Sequence, residues 1–557
     1  MRPGARDVVS LTGLAERDSE GRAEPAYTRR VGTARASAFL GVLLLGTAFG
    51  ASLDGDFVWD DASLIEHNAA MTRADGWRTI ATRDLWGGAT GNSTQLYHPV
   101  PMLTLWAQAR VSGVRVWPLR LGNLGIHALA VVCLAAWLAR HGLPIAVTAT
   151  AALLLLVHPS VTEPVMWLTG RHDLLGVLCT LAGLWSWPQG DAPVRAGRAL
   201  VAGVAFGAAF LCKEPYLVAF ALPVLLTMCT CARARRRPRA HEVARLAIAL
   251  LPVLAAVGLR LGLGISLGAT QARAPIAEQA RHFAGVVLHY AMQFARFGDG
   301  PTIAPYTPIA PLAAVATWAV MLAITGALGV LAWKNVRHFP VACFGWAWFL
   351  VALAPHVVSV PSLGLFGNRY GYFALFGLVV CASGLVASLP PLSSARMRAF
   401  ARAAVVALGV TLAFATSVEA RAWRSNLELY GRDLERDPSN GHALYHYATA
   451  VLDRDGCAKA LPLFILASEL APNYSRPFHN AAGCAIDTQQ PALALRFARH
   501  EIALAPENGG AHYNLAVALF ATGDARAATQ ALREALRLDP KHAAARRLQA
   551  QMERPHE

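Results

Sequence analysis

Charge is what this 557-residue chain has least of. Asp, Glu, Lys and Arg together make up 15% of it, against roughly 25% in a soluble globular protein. Acidic residues are the scarcer sign, 35 against 50 Lys and Arg, which leaves a formal net charge of +15. Nine cysteines contain no CxxC pair and no zinc spacing, so neither a zinc module nor a dense disulfide scaffold is encoded. There is no Walker A loop, and no GxGxxG follows a strand pattern, which excludes the common nucleotide-binding cradles. Residues 1–36 have no apolar run and do not read as a cleavable signal peptide; they read as a disordered cytoplasmic arm.

What is abundant is apolar sequence. Hydrophobic residues reach 55% and mean hydropathy is +0.38, the composition of a polytopic membrane protein. Apolar segments fall at about 37–53, 119–139, 143–157, 173–187, 197–212, 215–232, 244–266, 311–333, 339–357, 370–389 and 402–418, which predicts about eleven transmembrane helices. The stretch 281–297 carries Arg281, His282, His289 and Arg296 and reads as an interfacial or re-entrant helix. Basic runs at Arg233–Arg239, Lys334–Arg337 and Arg396–Arg402 lie between apolar segments. They account for much of the positive charge without nucleic acid, and with the N-terminus inside they all fall on the cytoplasmic side. The loop 54–118 and everything after the last span then share the outer side.

After residue 418 the composition changes. Pro438, Pro472, Pro506 and Pro540 recur at intervals of 34, the tetratricopeptide period. Ala448, Ala482 and Ala516 recur in register, as do Ala460, Ala494 and Ala528. The fold class expected is therefore all-α. A polytopic helical membrane domain (37–418) precedes a tetratricopeptide α-solenoid (419–557), with 419–437 as a lead-in helix. Cys457 and Cys484 are the two cysteines in the soluble part; the spacing leaves open a disulfide or two buried thiols. His442 and His446 stand at i,i+4 without a Glu between them, and read as surface residues of a repeat helix rather than a metal pair.

Polar chemistry concentrates on the outer side. Asp54-Gly-Asp56-Phe-Val-Trp59-Asp60-Asp61 places four carboxylates in eight residues at the mouth of the first span, interleaved with aromatics. Further outer turns carry Tyr97-His98-Pro99, the run from His158 through Glu163, Trp167 and Gly170 to Arg171-His172-Asp173, then Lys213-Glu214, and Asn368-Arg369-Tyr370. One such charge at a span boundary is ordinary helix-end punctuation; four turns bringing charge point to one shared site.

These runs, in this order and followed by tetratricopeptide repeats, resemble the transmembrane and tetratricopeptide-repeat-containing O-mannosyltransferases. More broadly they resemble the GT-C glycosyltransferases that use polyprenyl-phosphate sugars. His98 stands where that family usually shows Arg. The resemblance implies transfer of a sugar from a polyprenyl-phosphate donor to a hydroxyl of a protein acceptor. The residue types fit that chemistry. A carboxylate can act as base on the acceptor hydroxyl, and cations rather than an acid receive a leaving phosphate. Asp60 is the expected base, with Asp61 second. Arg369, Lys213 and Arg171 are the expected phosphate ligands, and His98 and Glu163 shape the site. His172, Asp173, Glu214 and Tyr370 complete the substrate-binding set. No metal or other cofactor is expected; the partners are the lipid-linked sugar, membrane lipids and a protein acceptor, and no nucleic acid. The repeats are expected to bind the acceptor rather than to complete the catalytic centre. Ala/Arg-rich composition points to a bacterial inner membrane with periplasmic repeats, or to the endoplasmic reticulum membrane in a eukaryote. The rivals are a non-catalytic membrane scaffold and the same chemistry on a lipid or glycan acceptor.

Overall fold

The computed structural model describes residues 26–91, 93–188, 196–266, 274–297, 303–334 and 338–553. Each of the eleven apolar segments is helical. Seven helices among the described residues are long and apolar enough to cross a membrane: Val116–Arg140, Glu214–Ala232, Ala240–Gly262, Pro311–Trp333, Phe339–Leu363, Asn368–Ser388 and Ala395–Ala422. An eighth is reached if Ile145–Leu156 and Pro159–Met166, bent by 57° at the intervening break, form one broken span. Pro159 at that break removes a backbone donor, which is why the helix turns there. The other three segments are shorter. Ala38–Ser52 and Ala196–Cys212 are apolar, while Arg171–Ser186 opens on three ionisable residues. The chain is thus an all-α integral membrane protein.

Two boundaries differ from the sequence expectation. The first helix starts at Ala26, so at least residues 26–36 of the expected disordered arm are helical; residues 1–25 lie outside the described residues. The last long helix runs unbroken to Ala422, past the expected start of the repeat domain at 419, because no Gly or Pro interrupts it there. The segment at 281–297 forms one helix, Ile276–Ala295, whose buried face carries His282, Tyr290 and Phe294. The basic run at Lys334–Arg337 falls mostly outside the described residues.

Small residues let the helices that carry the site approach closely, as is usual between apolar spans. A Cβ on Gly345 would lie 2.2 Å from the Cys381 amide nitrogen, and one on Gly203 would lie 2.3 Å from the Ala249 carbonyl oxygen. These contacts tie Asn368–Ser388 to Phe339–Leu353, and Ala196–Cys212 to Ala240–Gly262. Just before the first of them a short ribbon forms, β1 (Ile303–Pro305) antiparallel to β2 (Leu365–Gly367).

The lead-in helix is Asn426–Arg436, followed by helix pairs Gly441–Asp455 with Cys457–Leu470, Ser475–Asp487 with Pro491–Leu504, and Gly509–Ala521 with Ala525–Leu538. Ala448, Ala482, Ala516, Ala460, Ala494 and Ala528 are all fully buried, so the recurring alanines are the close-contact positions of the stack. Cys457 and Cys484 are joined by a disulfide between adjacent pairs, with their Cα atoms 4.9 Å apart.

Candidate active site

The acidic loop is held from several directions. Arg120, fully buried, donates to the carbonyls of Ser52 at the end of the first apolar helix (3.0 Å), of Asp54 in the loop (3.3 Å), of Met166 (3.0 Å), and of Trp423 beyond the last span (2.5 Å). The Asp56 amide donates to the Arg424 carbonyl at 2.8 Å, and the Trp59 amide to Asn426 Oδ1 at 2.9 Å. Gly55 is required there: its φ is +148° and an added Cβ would sit 2.5 Å from the Arg424 carbonyl oxygen. Trp59 itself has a positive φ of 59°, a strained setting for a bulky residue that persists only where its surroundings enforce it. The acidic loop and the entry to the repeat domain are therefore one structural unit.

The two carboxylates at its end have different surroundings. Asp61 is completely buried, and its oxygens accept from the amides of Leu168 (3.1 Å) and Thr169 (3.0 Å) and from the Thr169 hydroxyl (3.1 Å). Burial pushes its pKa up to about 7, against those donors and the nearby Arg120 charge. Asp60 is only half-buried, and its carboxylate makes no hydrogen bond or ion pair among the described residues. Burial raises its pKa, opposed by the charges of Arg369 and Arg476.

Arg369 enters from the start of Asn368–Ser388. Its guanidinium pairs with Glu163 at 2.5 Å and its own amide donates to the other Glu163 oxygen at 3.0 Å. Three rings surround it: its Cζ lies 4.6 Å from the Tyr370 centroid, 4.7 Å from Trp59 and 5.1 Å from Trp167. Trp59 stacks on Trp167 at 5.2 Å. These contacts hold the charge by cation–π attraction as well as by the ion pair. Lys213 approaches the same Tyr370 ring at 5.4 Å and pairs with Asp173 at 2.7 Å. His356 stacks on that ring at 4.8 Å.

A second polar group adjoins through His172, on the same helix turn as Asp173. His98 meets His172 with ring centroids 4.6 Å apart and pairs with Glu214 at 2.7 Å. Glu214 also holds Arg260, 2.5 Å away. His98 Nδ1 and His172 Nε2 are buried without hydrogen-bond partners among the described residues. Glu163, Arg369, Tyr370, Lys213, Asp173, His172, His98 and Glu214 thus form a continuous polar chain, with Asp60 within electrostatic reach of Arg369. Arg171 does not join it. Its guanidinium is buried against Asn123 (2.7 Å), Gln108 (2.7 Å) and the Leu119 carbonyl (2.8 Å), which accounts for it as a packing residue.

Sequence reading missed Arg260, because it lies alone in the last turn of the apolar helix Ala240–Gly262, outside any polar motif. It also passed over Arg120 and Tyr430, and gave Trp167 and His446 no part in the site. His442 stacks on Tyr474 at 4.4 Å and His446 on Tyr430 at 4.8 Å, and no group of three His, Cys, Asp or Glu among the described residues could hold a metal ion.

Comparison with known proteins meets the resemblance read from the motifs. Residues 98–257 match the family model of dolichyl-phosphate-mannose-protein mannosyltransferases, and residues 485–552 match a tetratricopeptide-repeat model. A protein O-mannosyl-transferase of Caenorhabditis elegans, F38B6.6, is 32% identical over 144 residues, covering 24% of this chain and 20% of its own length. The human protein O-mannosyl-transferase TMTC1 is 30% identical over 171 residues, 29% of this chain and 19% of that protein. The matched part thus spans about a fifth of each of these relatives. Among solved structures, ArnT from Cupriavidus metallidurans overlays 92% of this chain and 78% of its own, at 16% identity and a TM-score of 0.29, too loose to carry a fold argument.

Proposed function

We propose that this chain is a membrane glycosyltransferase that moves a sugar from a polyprenyl-phosphate donor to a hydroxyl of a protein acceptor. One observation carries the reading. Asp60, the carboxylate of the Trp-Asp-Asp run without a partner among the described residues, sits within electrostatic reach of Arg369, and Arg369 and Lys213 both lie against the Tyr370 ring, 4.6 and 5.4 Å from its centroid. The family match over residues 98–257 and the similarity to named O-mannosyl-transferases support the same class of chemistry.

In this reading Asp60 takes the proton of the acceptor hydroxyl as its oxygen attacks the anomeric carbon. The bond from that carbon to the phosphate oxygen breaks, and its electron pair leaves with the phosphate. An oxocarbenium-like transition state gains from the nearby carboxylate charge. The leaving phosphate is received by Arg369 and Lys213, with His98 and Arg260 continuing the polar chain beyond them. The cations are already oriented by Glu163, Asp173 and Glu214, so little reorganisation is needed when the phosphate develops charge. The polyprenyl tail, worth about 0.8 kcal/mol per buried CH₂, is held by the membrane and the apolar helices. Asp61, with its acceptors filled, positions the loop 168–169 rather than acting as base. The acidic loop and repeats face the periplasm or lumen, and the basic run at 233–239 lies at the opposite end of the bundle from Arg120 and Arg260.

The rival with an observation behind it is a catalytically silent scaffold, since Arg369, Lys213 and Arg260 each already have a carboxylate partner. Purified protein in lipid nanodiscs, given radiolabelled polyprenyl-phosphate mannose and Ser/Thr-bearing peptides, separates the two. Transfer to peptide that is lost in Asp60→Asn supports the enzyme; a well-folded parent that neither transfers nor hydrolyses the donor supports the scaffold.

A further inference from the structure

The first helices of the repeat domain stand against the catalytic loop. The Trp59 amide is capped by Asn426 at the start of Asn426–Arg436, and the Trp59 ring meets His446 of the first repeat helix edge-on, centroids 6.5 Å apart. His446 stacks on Tyr430 of the lead-in helix at 4.8 Å with 17° between the planes. Tyr430 is 2% exposed, yet its hydroxyl has no hydrogen-bond partner among the described residues. Buried hydroxyls are normally satisfied, and an orphan calls for an explanation. On the other side of Trp59, stacked against it, the Trp167 indole N–H is likewise buried and unpartnered. Two buried donors without acceptors among the described residues therefore lie around Trp59, the residue next to Asp60. The ribbon of β1 and β2 packs against the first repeat helix and ends immediately before Asn368-Arg369. It offers backbone groups of the kind an extended peptide can pair with.

We propose that the repeat domain supplies one wall of the active site: Tyr430 and His446 line an acceptor subsite opposite Asp60 that takes an extended, hydroxyl-bearing polypeptide segment. The inference rests on the catalytic reading above and departs from the division of labour expected from sequence, in which the repeats only collect the acceptor. Tyr430 donates to an acceptor carbonyl or hydroxyl oxygen and His446 stacks against the segment, so both are positioning residues while Asp60 removes the proton. A lipid acceptor fits less well, because this wall belongs to the repeat domain rather than to the membrane-crossing helices.

The test uses the full chain in nanodiscs, with a pool of synthetic Ser/Thr-bearing peptides as acceptor probe and polyprenyl-phosphate mannose as donor. Peptide binding is followed without donor by quenching of tryptophan fluorescence, and transfer and donor hydrolysis are followed with donor present. Tyr430→Phe removes only an unpaired hydroxyl, so its thermal midpoint should stay level or rise. The acceptor KM and the peptide dissociation constant should increase about 3- to 10-fold, the worth of one hydrogen bond, with donor hydrolysis unchanged. His446→Ala should weaken peptide binding in the same direction. Unchanged acceptor KM and peptide affinity in both variants, in a parent that transfers mannose, would overturn the subsite and leave the enzyme reading intact. Peptide binding that depends on Tyr430 and His446 in a parent that transfers no mannose would support the wall and count against the proposed reaction. A parent that neither binds nor modifies the peptides would overturn both.

Discussion

Glu163 holds Arg369 twice, through the guanidinium at 2.5 Å and through the backbone amide at 3.0 Å, across 206 positions of sequence. Glu163 is 1% and Arg369 9% exposed, so neither group can turn to water for a substitute. The pair closes the bent helix Pro159–Met166 onto the start of Asn368–Ser388, and it aims the arginine at the ring cage beside Asp60.

Glu163→Gln should therefore destabilise the membrane domain by about 3–5 kcal/mol, the cost of leaving a buried partner charge uncompensated. Thermal unfolding of the detergent-purified variant against the parent measures this. A midpoint unchanged within a degree would mean that the guanidinium finds another partner.

The neighbouring aspartates should separate cleanly by readout. Asp60→Asn is expected to keep the parent's thermal midpoint and to lose on the order of 10²–10⁴-fold in turnover, the usual contribution of a positioned base. Asp61→Ala strands the amides of Leu168 and Thr169 and the Thr169 hydroxyl, at about 1–3 kcal/mol for each buried group left unpaired, so stability falls first. Turnover and unfolding recorded on the same preparations distinguish the two. A stable, active Asp60→Asn would move the base to another residue.

The pH profile carries its own sign. A base works deprotonated, so kcat/KM falls as pH drops through the pKa of Asp60. Burial raises that pKa, which places the acid limb above the ordinary aspartate value of about 3.9. Arg369 opposes the rise, so Arg369→Gln should move the limb further up wherever enough activity remains to follow it. A limb at or below pH 4 in the parent would contradict the raised pKa that partial burial gives Asp60.

The Cys457–Cys484 bond closes a loop of sequence separation 27, for which stabilisation of about 2–4 kcal/mol is typical. Reductant should lower the unfolding midpoint of the parent's repeat domain and have no effect on that of Cys457→Ser/Cys484→Ser. Equal midpoints with and without reductant in the parent would show that the bond adds nothing.

Much of this molecule could be read along the chain because the signals are local. Apolar runs of span length, basic runs at helix ends and a proline-and-alanine period of 34 each depend on neighbours within a few turns. Their helices follow from backbone satisfaction in lipid and from repeat stacking. The polar residues of the site could also be named, since charge is costly beside a span and so draws notice. Their partners could not. Nothing in the order of residues says that Asp61 is saturated while Asp60 is free, that Arg171 is tied to Asn123 and Gln108, or that Arg260 faces Glu214 from 46 positions away. Nor does it place Tyr430 and His446 beside Trp59. Hydrogen-bond satisfaction, burial and ring contact are properties of pairs brought together from distant segments, and close glycine-mediated packing of the helices makes those pairs. Only the tertiary structure decides which of several equivalent charges is held by partners and which is left without one among the described residues.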